Sequence, residues 1–168
     1  MTPVEQQDVA SAVVRDFSAR GWTLATAESL TGGLLGATIT AVPGASAVYR
    51  GGLITYATEV KGSVGQVPDA ILRQHGAVSA ETVRALASTT ARVCGADVGV
   101  ALSGVAGPDA QEGHPPGTVW LGWAIRDAGR ITTDAALLSV DADADRAGIR
   151  AAAVALALEK LQEIAGTR

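Results

Sequence analysis

Short apolar stretches of small and β-branched residues alternate along this chain with segments whose apolar residues recur at helical spacing. No single motif constrains the fold as strongly. Over residues 4–19, Val4, Val9, Ala12, Val13 and Phe17 fall near one helical face, and Gly21 is a natural stop. A buried strand at 22–26 (WTLAT) then leads through Glu28-Ser29 into a helical run from Leu34 to Val42, ended by Pro43-Gly44. The stretch 51–57 (GGLITYA) predicts a second strand, and Ser79 caps a helix that runs to about Cys94 and stops at Gly95. Residues 97–108 read as a strand ending in a glycine-rich loop. The segments 117–125 and 130–139, joined by Asp127-Ala128-Gly129, predict an antiparallel hairpin, and an alanine-rich helix closes the chain from about Ala144 to Ile164. The expected architecture is a three-layer α/β/α sandwich around a mixed, mainly parallel sheet. With 168 residues, no internal repeat and no low-complexity linker, one domain over 1–168 is expected.

Composition narrows the function classes. A net charge of -4 argues against a surface devoted to nucleic acid or anionic lipid, both of which need concentrated Lys and Arg. Cys94 is the only cysteine, so no internal disulfide forms, which fits a reducing compartment. The opening residues lack a basic segment followed by an apolar core, and no stretch approaches the roughly 20 apolar residues of a membrane span. A cytoplasmic location is expected. No Walker-type loop and no Gly-x-Gly-x-x-Gly follows any strand, so the strongest nucleotide-cofactor signals are missing. His75 and His114 stand far apart with no paired-cysteine spacing, and neither a metal nor an organic cofactor is expected.

The stretch 26–33 (TAESLTGG) places hydroxyls, a carboxylate and two glycines between strand and helix, where packing alone needs one capping residue. Ser29 reads either as a helix N-cap, a role open also to Thr31 or Glu28, or as a nucleophile. A serine nucleophile needs a base with an available lone pair. Arginine stays protonated in proteins, whereas a desolvated lysine can be drawn toward neutrality, and Lys61 follows the second strand as Ser29 follows the first. Tyr56 would relay or orient the proton. Taken singly, Lys61 reads first as a solvated charge and Tyr56 as a half-buried strand aromatic. Gly32-Gly33 would expose backbone N–H groups for an oxyanion or phosphate, or make a tight turn; Ser103–Pro108 (SGVAGP) is a second cradle or an ordinary loop. Arg146 and Arg150 share a helix face that could clamp a phosphate, although a solvated face is the expected role of Arg150.

In this order, the segments AESLTGG, VPGASAVYRGGLITYATEVK, HGAVS, SGVAGP and GTVWLG resemble the carboxy-terminal domain of the CinA (competence-damage-inducible protein) family over nearly the whole chain. The resemblance implies an amidase that converts nicotinamide mononucleotide to nicotinate mononucleotide and ammonia. It also implies a catalytic set of Ser29, Tyr56 and Lys61, with Thr31, Gly32, Gly33, Ser103, Gly104, Gly107 and Arg146 around the substrate. The family's link to competence and DNA damage keeps a second reading open, that of a nucleotide-binding or protein-interaction module without turnover. Two departures stand out: Leu30 occupies a position where the family commonly has cysteine, and the loop from Pro108 to Gly117 carries Asp109-Ala110 and His114-Pro115-Pro116 and looks about one residue shorter. That loop puts substrate preference in question. Small side chains on the helices suit a symmetric homodimer.

Overall fold

The computed structural model describes residues 2–166. Its sheet follows from short apolar strands that need cover on both faces. β1 (Leu24–Glu28) lies parallel between β2 (Tyr49–Ile54) and β3 (Val98–Gly104); β4 (Val119–Asp127) and β5 (Arg130–Leu137) add antiparallel, in the order β2-β1-β3-β4-β5. The sheet is therefore mixed, and β4 alone opposes the other strands. Ala128 and Gly129 both adopt positive φ (46° and 81°), which gives the predicted hairpin the two-residue turn whose twist matches its strands.

Helices cover both faces. α1 (Pro3–Arg20), α2 (Leu34–Thr40) and α6 (Arg146–Gly166) pack together on one side, where Phe17, Leu35, Ile39, Ile149 and Leu158 meet Val98, Val100 and Leu102 of β3. The alternate residues of β3 turn the other way, so the second core sets Ala27, Ala101 and Ala124 against Val83, Leu86 and Ala87 of α5 (Ala80–Val93). That face is built from small residues because α5 lies very close to it. A Cβ on Gly99 would come 2.2 Å from Ala87 O, and one on Gly122 would come 2.5 Å from Val83 O.

Two short helices depart from the sequence reading. The segment that carries Lys61 coils into α3 (Thr58–Ser63), and α4 (Asp69–His75) precedes α5; neither is among the predicted elements. α4 buries none of its residues and α3 only Lys61, so neither carries the apolar stripe that periodicity detects. β2 also ends three residues earlier than expected, at Ile54, which frees Thr55–Ala57 to line the sheet's carboxyl edge. Ser79 caps α5 as predicted, accepting from Thr82 N–H at 3.2 Å.

Candidate active site

Adjacent parallel strands bring their carboxyl ends together, and the register pairs Glu28 with Ile54. The ladder runs one step further, with Thr55 N–H donating to Glu28 O at 2.9 Å, so Ser29 stands beside Thr55 and Tyr56. α3 then turns the chain back over this edge. Lys61 Nζ donates to Ser29 Oγ at 2.9 Å, to Thr55 O at 2.8 Å and to Tyr56 O at 3.2 Å, with the residue only 1% exposed. Burial pulls the Lys61 ammonium down from 10.5 to about 8, against the carboxylates of Glu112 and Glu59, which favour the charged form.

The three acceptors around Nζ decide what the neutral amine does. An ammonium donates three hydrogens, one to each partner. A neutral amine keeps two, and the carbonyls of Thr55 and Tyr56 can only accept. They hold both remaining hydrogens, and the lone pair falls to Ser29 Oγ. Such an arrangement would allow the amine to take a proton from the hydroxyl.

Ser29 does not cap α2. Glu28 does: fully buried, its carboxylate accepts from Gly33 N–H (3.0 Å), Leu35 N–H (3.0 Å) and Gly36 N–H (2.8 Å). Gly33 begins the helix at φ 99°, a conformation that glycine adopts without strain. Gly32 N–H donates to Ser29 O at 3.0 Å. The glycine pair therefore builds the turn, and its N–H groups are already engaged. The Leu30 and Thr31 N–H groups, by contrast, have no acceptor among the described residues. Thr31 is fully buried, and its Oγ1 is likewise without a partner.

A cavity of about 110 Å³ opens over Ser29, bounded also by Leu30, Tyr56, Gly107, Asp109 and Arg146. Tyr56 is exposed, and its phenol accepts from Arg146 Nη2 at 2.7 Å; it is the Tyr56 carbonyl that reaches Lys61. Arg146 Nη1 donates to Gly107 O at 2.7 Å, so one guanidinium ties α6 to both rims. Gly104 lets β3 approach β4 closely, since a Cβ there would stand 2.5 Å from Thr118 O. Ser103 is not brought to the cavity wall. It is buried, and its hydroxyl donates to Ala77 O at 2.7 Å, anchoring the turn before α5.

Arg150, expected on a solvated helix face, instead points inward: Nε donates to Leu30 O at 3.0 Å and Nη2 to Thr31 O at 2.8 Å. The i, i+4 spacing with Arg146 was the only trace of this in the sequence. Glu28 was visible there only as one of three capping candidates. The divergent loop from Pro108 to Gly117 is pinned by Glu112, whose carboxylate accepts from Ala77 N–H (2.8 Å) and Val78 N–H (3.3 Å). Cys94 is half-buried, and its burial raises the thiol pKa. Among the described residues no group of three His, Cys, Asp or Glu side chains could hold a metal ion, and no helix is long and apolar enough to cross a membrane.

A profile of the CinA C-terminal domain matches residues 6–165. The chain is 52% identical over 107 residues to a protein of Geobacillus kaustophilus that bears the name competence-damage inducible protein, covering 64% of this chain and 26% of that one. It is 45% identical over 124 residues to a protein of the same name from Limosilactobacillus reuteri, covering 74% and 29%. The chain thus spans about a quarter of the length of these curated relatives. Among solved structures, the competence/damage inducible protein CihA from Agrobacterium tumefaciens superposes with a TM-score of 0.87 at 32% identity, covering 98% of each chain. A CinA superfamily protein from Klebsiella pneumoniae gives 0.86 at 37% identity, covering 95% and 97%.

Proposed function

The chain belongs to the CinA C-terminal domain family, and from that premise we propose that it is an amidohydrolase converting nicotinamide mononucleotide to nicotinate mononucleotide and ammonia. The observation that carries this reading is the buried lysine whose two carbonyl partners leave its lone pair to Ser29. Neutral Lys61 takes the Ser29 proton as Oγ bonds to the carboxamide carbon, and the carbonyl oxygen becomes an oxyanion. As the carbon–nitrogen bond breaks, protonated Lys61 gives its proton to the leaving nitrogen, and ammonia departs from a nicotinoyl ester on Ser29. Water then attacks this ester, Lys61 takes the water's proton, and the carbon–Oγ bond breaks as Ser29 is reprotonated.

The Leu30 N–H, immediately after the nucleophile and without an acceptor, is the first oxyanion donor; Ala106 and Gly107 line the same cavity and their N–H groups are also unpaired among the described residues. Arg146 takes the phosphate at the rim, with Tyr56 beside it on the ribose or the departing ammonia. Thr31, Gly32 and Gly33 act by shaping the turn beneath the substrate.

Ammonia release from nicotinamide mononucleotide by the purified protein tests the reading. Turnover lost in Ser29→Ala supports it. Tight binding without ammonia would instead favour a nucleotide-binding module linked to competence or DNA damage.

A further inference from the structure

Resting on the acyl-transfer reading above, we infer that Arg150 is a positioning residue: it sets the peptide planes behind Ser29 so that the unpaired N–H groups are held for the oxyanion. In a trans peptide the N–H points opposite to the carbonyl of the preceding residue, so fixing one oxygen fixes the next hydrogen. Arg150 Nε holds Leu30 O, which orients the Thr31 N–H. Arg150 Nη2 holds Thr31 O, which orients the Gly32 N–H, and that group donates to Ser29 O. The Ser29 carbonyl, held in turn, orients the Leu30 N–H. The guanidinium thereby holds two consecutive peptide planes directly, Thr31 O accepting also from Leu34 N–H at 3.2 Å, and a third through the Gly32 N–H; its positive charge on the Leu30 and Thr31 carbonyls makes the opposing N–H groups stronger donors.

Asp145 caps the start of α6, its carboxylate accepting from Gly148 N–H at 2.7 Å, and Arg150 projects from the next turn onto the Leu30 and Thr31 carbonyls. Arg150 also passes 3.9 Å from where a Gly32 Cβ would stand, so the guanidinium closely abuts the turn.

The test pairs turnover of nicotinamide mononucleotide with labelling of Ser29 by a fluorophosphonate, in which an Oγ–P bond forms, the P–F bond breaks, fluoride leaves and Lys61 takes the proton. Labelling needs the oxyanion donors but not the nucleotide. Arg150→Met should lower both kcat and the labelling rate about 100-fold and leave KM within about threefold. In Arg150→Ala, millimolar guanidinium should restore labelling while methylammonium should not. Wild-type labelling and kcat in Arg150→Met, or a raised KM at unchanged kcat, would overturn the inference. Equal rescue by both cations would also overturn it, because charge alone would then suffice. If the native protein labels but releases no ammonia, the substrate reading fails and the labelling arm still decides the role of Arg150. If it does neither, both fail.

Discussion

Glu28 and Ser29 are consecutive in the chain and serve opposite sides of one turn: the carboxylate gathers three amide hydrogens of α2, and the hydroxyl is left to Lys61. A serine that capped the helix would have to present its oxygen to the amides instead. Removing the carboxylate in Glu28→Ala leaves buried donors without a partner and should cost about 3 kcal/mol of unfolding free energy. Glu28→Gln, which keeps one acceptor oxygen, should lose less. Urea denaturation of the two variants checks the order.

The serine and lysine act as a unit in the proposed chemistry, so Ser29→Ala and Lys61→Arg should each lower kcat by about 1000-fold or more while preserving the far-ultraviolet circular dichroism. Lys61→Arg is the sharper variant, since it keeps the positive charge and removes only the capacity to be neutral. Near-normal ammonia release from either variant would reject the dyad.

The depressed Lys61 ammonium predicts two pH dependences. With the neutral amine as the base of the proposed chemistry, kcat/KM should climb with pH and level off above about 8. Glu112→Gln removes the leading anion that favours the charged form, so the midpoint of this limb should move to lower pH. For stability, the folded value lies below the ordinary 10.5, so between about 8 and 10.5 the unfolded chain binds more protons and stability rises with pH. Relative to Lys61→Met, the native protein should gain up to about 3 kcal/mol across that window and nothing below it. Paired denaturation curves at pH 7 and pH 10 measure the difference.

If Arg146 holds the phosphate, Arg146→Ala should raise KM for nicotinamide mononucleotide by about tenfold or more, the scale of a lost charge-assisted hydrogen bond. Nicotinamide riboside, which has the same amide and no phosphate, should show little change in KM. An equal rise for both compounds would instead assign Arg146 to cleft architecture, through its bonds to Gly107 and Tyr56.

Periodicity, turn chemistry and a serine's need for a base that can be neutral by themselves determined a great deal: the alternating α/β order, the Ala128-Gly129 hairpin, the Ser79 cap, and Ser29 and Lys61 as the pair to watch. These signals are legible because each depends on neighbours within a few residues. Tertiary structure decided which of three candidate residues caps α2, where the Tyr56 phenol goes, that the Ser103 hydroxyl is occupied inside the fold, and that Arg150 faces inward. Those choices hinge on groups brought together from distant parts of the chain, such as Arg150 and Leu30 across a helix–turn contact. Even the small residues on one face of β3, plain in the sequence, acquire their reason only from an α5 backbone that comes too close for a side chain at Gly99. Local pattern specifies which elements form; which polar atoms satisfy each other depends on distances that exist only after those elements have packed.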